Sequence, residues 1–244
     1  MTHSTDPFAH HPELRDRITP TQASFFRDFT LDKLVDHHPE MAHMRGWAHS
    51  DATREALRAD ALADHEGDLW IFAYGSLMWD PALVFQEVRR VHAPGVARRF
   101  ILCDDKGARG SKQAPGLMAA LDHGTGCDGL AYRIAAADVT AETRNLFRRE
   151  LIGPAYIPAH IPVLAGDAQM TALTFLADPT CPDILGAISR TDQIRMIATG
   201  AGVLGSSLDY LRNVTTQLAE LGIDDPACTD LLRAVEAYTA RTGP

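Results

Sequence analysis

Residues 69–81, LWIFAYGSLMWDP, decide how this sequence is read. Leu69, Trp70, Ile71 and Phe72 form an unbroken apolar run, as a strand covered on both faces does. The run then breaks into Tyr74, Gly75 and Ser76, turn-forming residues where a solvated polar loop would be ordinary. A strand that ends this way can aim successive backbone N–H groups at one point, and Gly75 allows unusual dihedrals and a close ligand approach. Such a turn can hold a carboxylate, or an oxyanion developing on a carbonyl. A plain glycine turn at a barrel corner accounts for the same residues.

Downstream of this stretch, short β-prone runs recur at 69–74, 96–103, 117–121, 128–134, 159–164 and 170–176, separated by Gly, Pro and Asp clusters. Helical patterns cover 139–152, about 206–221 and about 226–239. Strands in runs with helices inserted and appended indicate an α+β fold, not a regular βαβ sheet. Upstream, residues 1–68 differ: they hold seven of the 11 histidines before residue 50 and two helical stretches, about 20–36 and 51–64. We expect two parts, a helical extension over 1–68, with 1–18 partly disordered, and a main domain over 69–244.

Composition excludes several classes. A formal net charge of −9 argues against nucleic acid as a bulk partner, because phosphate binding needs a basic face, but it leaves room for a small anion held by one or two arginines. No apolar run is long enough to span a membrane and the N-terminus has no signal-peptide pattern, so a cytoplasmic protein is expected. Cys103, Cys127, Cys181 and Cys228 are scattered, without a C-x-x-C, and read as reduced thiols. His10, His11, His37, His38 and His43 have no metal-ligand spacing and read as solvated surface residues. GAGVLG, residues 200–205, fits G-x-G-x-x-G, but TDQIRMIAT before it has helical periodicity, so a turn between two helices explains it better than a nucleotide site.

The helix DVTAETRNLFRRELIG holds the most informative single residue. Val139, Thr143, Leu146 and Phe147 mark its apolar side; Glu142, Arg144, Asn145, Arg148 and Arg149 form the polar set. Glu150 stands four residues after Leu146 and three after Phe147, which places a carboxylate on the apolar face. Desolvation there raises a carboxylate's pKa and suits it to proton transfer near neutral pH. The alternative is a helix-end glutamate that swings out to Arg148, Arg149 or Arg98.

Taken together, WIFAYGSLMWDPAL, Arg98 and Phe100 in GVARRFIL, RGSKQAPG, GLAYRI, RRELIGPAYIP and GVLGSSLDYL resemble the ChaC-like gamma-glutamylcyclotransferases, the bacterial type acting on glutathione. The resemblance runs over about 69–221, and the first and fifth segments are the specific ones. It implies a small mixed β-barrel with flanking helices, a ligand loop at Tyr74, Gly75, Ser76, Leu77 and Met78, and Glu150 as the acid-base residue. It further implies glutathione as a small-molecule substrate, 5-oxoproline and Cys-Gly as products, and no metal or cofactor. Arg98 would hold a substrate carboxylate and Tyr210 would close the pocket. The chain departs from the family pattern at Ala73, Leu117, Leu204 and Ser207. That leaves open another gamma-glutamyl amide or peptide as substrate, or a non-catalytic binding protein on the same scaffold.

Overall fold

The computed structural model of the protein describes residues 6–242. Its frame is a seven-stranded sheet: β1 (Leu69–Ala73), β2 (Glu87–Ala93), β3 (Val96–Asp104), β4 (Gly116–His123), β5 (Cys127–Ile134), β6 (Tyr156–Ala165) and β7 (Ala168–Ala177). The order is β1-β5-β2-β6-β7-β4-β3, and β1 also pairs in parallel with β7 through Trp70↔Ala172 and Ile71↔Leu173. That pairing closes β1, β5, β2, β6 and β7 into a five-stranded barrel. Hairpin β3–β4 hangs outside the ring, joined to β7 at Leu121↔Leu176. The α+β class and the small mixed barrel expected from sequence are both present.

Closure explains the apolar run that opens β1. Ile71, Phe72 and Ala73 are fully buried, because successive side chains enter different cores. Ile71 and Ala73 join the large core shared with the helices, whereas Phe72 and Tyr74 join a second core built from strands and their edges. Strand β2 (EVRRVHA) escaped the sequence reading because only Val88, Val91 and Ala93 are buried in it. Its charged residues are satisfied sideways: Glu87 by Arg133, Arg90 by Glu13, and His92 by Asp128.

Around the barrel lie α1 (Leu31–His37), α2 (Asp51–Ala61), α3 (Val139–Glu150), α4 (Arg190–Thr199), α5 (Ser207–Glu220) and α6 (Pro226–Thr242). GAGVLG forms a two-residue hairpin between α4 and α5, with Gly205 at φ 98, a conformation that favours glycine. All four cysteines are free. Among the described residues no helix is long and apolar enough to cross a membrane.

The extension differs from expectation in form. Residues 1–5 lie outside the described residues, but 6–18 are firmly packed: Leu14 is fully buried and Ile18 nearly so, both in the main core. Over 20–36 only α1 is α-helical. The Ser24 hydroxyl accepts the Phe26 N–H, and Thr30 caps α1 by accepting from Lys33 N, so both side chains satisfy local N–H groups and delay the helix. The histidines are more engaged than solvated residues would be. His43 bridges the Glu40 and Lys106 carbonyls, and His11 accepts from Arg90 N.

Candidate active site

The site forms where β1 ends. Ser76, Leu77 and Met78 make one 3-10 turn, closed by Met78 N–H donating to Gly75 O at 2.9 Å. The leading N–H groups, those of Ser76 and Leu77, have no carbonyl partner within the turn, as at any helix start. Gly75 has φ −128, so left-handed backbone is not its reason for being glycine. What it supplies is space: a Cβ there would stand 3.7 Å from the Tyr210 hydroxyl and fill the gap between turn and α5.

Three buried side chains hold the turn from beneath. Tyr132 donates to Met78 O at 2.6 Å. Arg149 donates to Ser76 Oγ at 2.8 Å and to the Asp80 carbonyl. Arg98 donates to Tyr74 O, to Asp128 O at 2.7 Å and to the Asp225 carboxylate. This last arrangement bears on the role expected of Arg98. The residue does reach the loop, but all three of its nitrogens are taken by protein partners and its charge is met by Asp225, so it braces the strand end instead of presenting a free cation.

Glu150, the last residue of α3, lies beside this turn with its side chain 14% exposed. It contacts Arg149 Nε at 3.1 Å without leaving the interior. Tyr74, Tyr156 and Tyr210 all lie within its electrostatic reach. The same burial acts on every group here. Desolvation pushes the Glu150 carboxyl above the ordinary glutamate range, against the opposing pull of Arg149. It lifts the Tyr74 and Tyr156 phenols far up and Tyr210 to about 12, so the phenols stay protonated and can donate hydrogen bonds. Tyr156 spends its own on Ala119 O at 3.0 Å.

On Tyr210, which also faces Glu150, lies Arg109, its guanidinium 4.9 Å from the ring centroid in a cation–π contact that fixes both groups. It donates weakly to Ser206 O at 3.3 Å and has no ion pair among the described residues. Burial lowers its pKa, but a guanidinium remains charged. The arrangement therefore offers a carboxyl with a raised pKa, the Tyr210 phenol, the leading N–H groups of the turn and, in Arg109, a cation attracted by Asp104 and Asp209 but held by no ion pair among the described residues. Two open clefts of about 360 and 410 Å³ lie elsewhere, between the extension and the outer face of α3, and neither includes Glu150. Among the described residues no group of three or more His, Cys, Asp or Glu side chains is placed to hold a metal ion.

Residues 69–238 match the ChaC-like protein family. The chain belongs to that family. A glutathione-specific gamma-glutamylcyclotransferase of Escherichia coli (strain K12) is 33% identical over 81% of this chain and 86% of its own length. The human glutathione-specific gamma-glutamylcyclotransferase 1 is 33% identical over 60% of this chain and 69% of its own. A crystal structure of the yeast glutathione-specific enzyme shares the fold, with TM-score 0.63 at 18% identity over 71% of this chain and 97% of that one. The share aligned to the E. coli protein exceeds what residues 69–244 alone could supply, so part of the extension has a counterpart there.

Within the ChaC-like frame, the expected residues Tyr74, Gly75, Ser76, Leu77, Met78, Glu150 and Tyr210 gather at one place. Arg109 and Tyr156 were overlooked in the sequence, and Arg149 was named only in the polar set and as a possible partner of Glu150, although each lies in a segment quoted for the resemblance. Nothing local distinguishes them; only the approach of β6 and α5 to Glu150 does. Two departures from the family pattern are coupled to each other. Ser207 and Leu117 are fully buried, and Ser207 Oγ accepts from Leu117 N at 2.9 Å while donating to Leu117 O at 2.5 Å. They tie α5, and with it Tyr210, to β4. Leu204 lies 43% exposed on the hairpin.

Proposed function

We propose that this protein is a gamma-glutamylcyclotransferase that cleaves glutathione to 5-oxoproline and Cys-Gly. The observation that carries the reading is the desolvated Glu150 carboxyl set against the Tyr74–Met78 turn. In this reaction the substrate's own α-amine attacks its γ-carbonyl. A C–N bond forms to close the five-membered lactam, and the amide C–N bond to the cysteinyl nitrogen breaks. The reaction is intramolecular, so holding the γ-glutamyl chain folded supplies much of the acceleration.

Glu150 takes the proton from the attacking amine and returns it to the leaving nitrogen; one carboxyl can serve both steps because burial brings its pKa toward the working pH. The free N–H groups of the turn receive the tetrahedral oxyanion. Arg109 holds a substrate carboxylate, the role expected of Arg98, and Tyr210, stacked beneath it, closes the pocket. The location of such chemistry would be the cytoplasm.

Purified protein incubated with glutathione, without added metal or cofactor, should release 5-oxoproline and Cys-Gly in equal amounts, measured by mass spectrometry. Release from another gamma-glutamyl amide but not from glutathione would keep the chemistry and change the substrate. Release from none would leave the binding-protein reading.

A further inference from the structure

We infer that the N-terminal arm is part of the catalytic apparatus: Phe26 is a positioning residue that acts on Glu150 through the Arg149 guanidinium on which its ring stacks. The inference rests on the reading of Glu150 as the base. Arg149 has a side chain only 5% exposed, and its guanidinium carbon lies 4.1 Å from the centroid of the Phe26 ring. The same guanidinium contacts Glu150, Ser76 Oγ and the Asp80 carbonyl. One side chain thus joins the base to the proposed oxyanion turn, and a residue of the arm covers its face.

The next residue of the arm fastens this cover. Arg27 donates twice to the Glu142 carboxylate, and once to Ala82 O at 3.0 Å. Glu142 and Arg149 are seven residues apart on α3, two turns along one face, so Phe26 and Arg27 clamp the same side of that helix. Ala82 has φ 56, a rare conformation for a non-glycine residue, and Arg27 secures it at the far end of the loop that begins with the 3-10 turn. Phe25 and Phe29 hold the Phe26 ring in place, with centroids 5.3 and 6.0 Å from it.

The groups facing Glu150 are Arg149 from its own helix, Tyr74 from the end of β1, Tyr156 from β6 and Tyr210 from α5. Of these only Arg149 is charged at neutral pH, so the hold on Arg149 sets the field at the base. Losing the aromatic face frees the guanidinium to turn away and weakens that field. Deleting the arm would not test this, because Leu14 and Ile18 belong to the main core. Point variants of the full chain do.

Phe26→Leu keeps apolar cover but removes the π face; Phe26→Tyr keeps the face; Phe26→Met is a second ring-free variant should Leu not fold. For the ring-free variants we expect kcat to fall about tenfold with KM within about twofold. The acid limb of the pH profile should move to higher pH, and Phe26→Tyr should restore both. The Glu150 carboxyl, followed by carbon-13 NMR titration without substrate, should shift upward in the ring-free variants alone. Wild-type kcat, pH profile and titration in Phe26→Leu would reduce Phe26 to a packing residue and overturn the inference. If the wild type turns over no glutathione, the functional reading fails separately, and the titration alone decides whether Phe26 is coupled to Glu150.

Discussion

Helix α3 carries a glutamate near each end, Glu142 buried in its first turn and Glu150, largely covered, as its last residue, and their surroundings differ in kind. Glu142 is held on both sides: Arg27 donates to each of its oxygens and Val84 N–H adds a third bond at 3.0 Å. Glu150 has one charged neighbour, Arg149, and otherwise faces phenols. A buried carboxylate held on both oxygens by fixed donors is a structural joint. A buried carboxylate left with unused lone pairs and a raised pKa can take up and return a proton. Burial alone does not mark a catalytic acid; the count of its partners does.

The sharpest test of this contrast is to neutralise each glutamate. Glu150→Gln should cut turnover by about 10²–10⁴-fold while glutathione binding, followed by calorimetry, survives. Near-normal turnover in that variant would show that Glu150 is not the base and would end the comparison. Glu142→Ala should act on stability. Leaving Arg27 without its partner should cost about 3 kcal/mol, which for a chain of this size lowers the thermal midpoint by roughly 6–12 °C in a calorimetric scan. An unchanged midpoint would mean that the Arg27–Glu142 joint carries no load.

Arg109 extends the contrast to cations. Arg98 and Arg27 have carboxylate partners, whereas Arg109 has no ion pair among the described residues. Arg109→Ala should therefore raise KM for glutathione by roughly 10–100-fold with little change in kcat, and with the melting temperature nearly intact. A fall in stability without a rise in KM would return Arg109 to the structural class. The smallest effect is one of pH. A base works only when deprotonated, so turnover is lost as pH falls through the Glu150 pKa, and burial places that limb above the ordinary glutamate range. Arg149 pulls the other way, so Arg149→Gln should move the limb further up. A limb that stays put would show that Arg149 exerts no field on the base.

Glu150 was legible in the sequence because helical periodicity is local: its distance from Leu146 and Phe147 puts it on the buried face. The same rule failed for Glu142 and Arg149, which it places in the polar set although both are buried. It finds one buried face, but α3 is covered on two sides: by the barrel, and by an arm whose Phe26 and Arg27 come from more than a hundred residues away. Strand β2 was missed for a related reason, since its charges are answered by partners on β5 and the arm.

By itself the sequence determined the strand that breaks into Tyr74-Gly75-Ser76, the α+β class, the family resemblance and the placement of Glu150. Each depends on residue order within a few turns or strands. The tertiary structure decided which charges are spent and which are free. It gave Arg98 to Asp225 and Tyr74 O, left Arg109 open above Tyr210, surrounded Glu150 with phenols, and laid the arm against Arg149. The physical reason is that desolvation and charge pairing depend on distance in space, and sequence separation does not measure it.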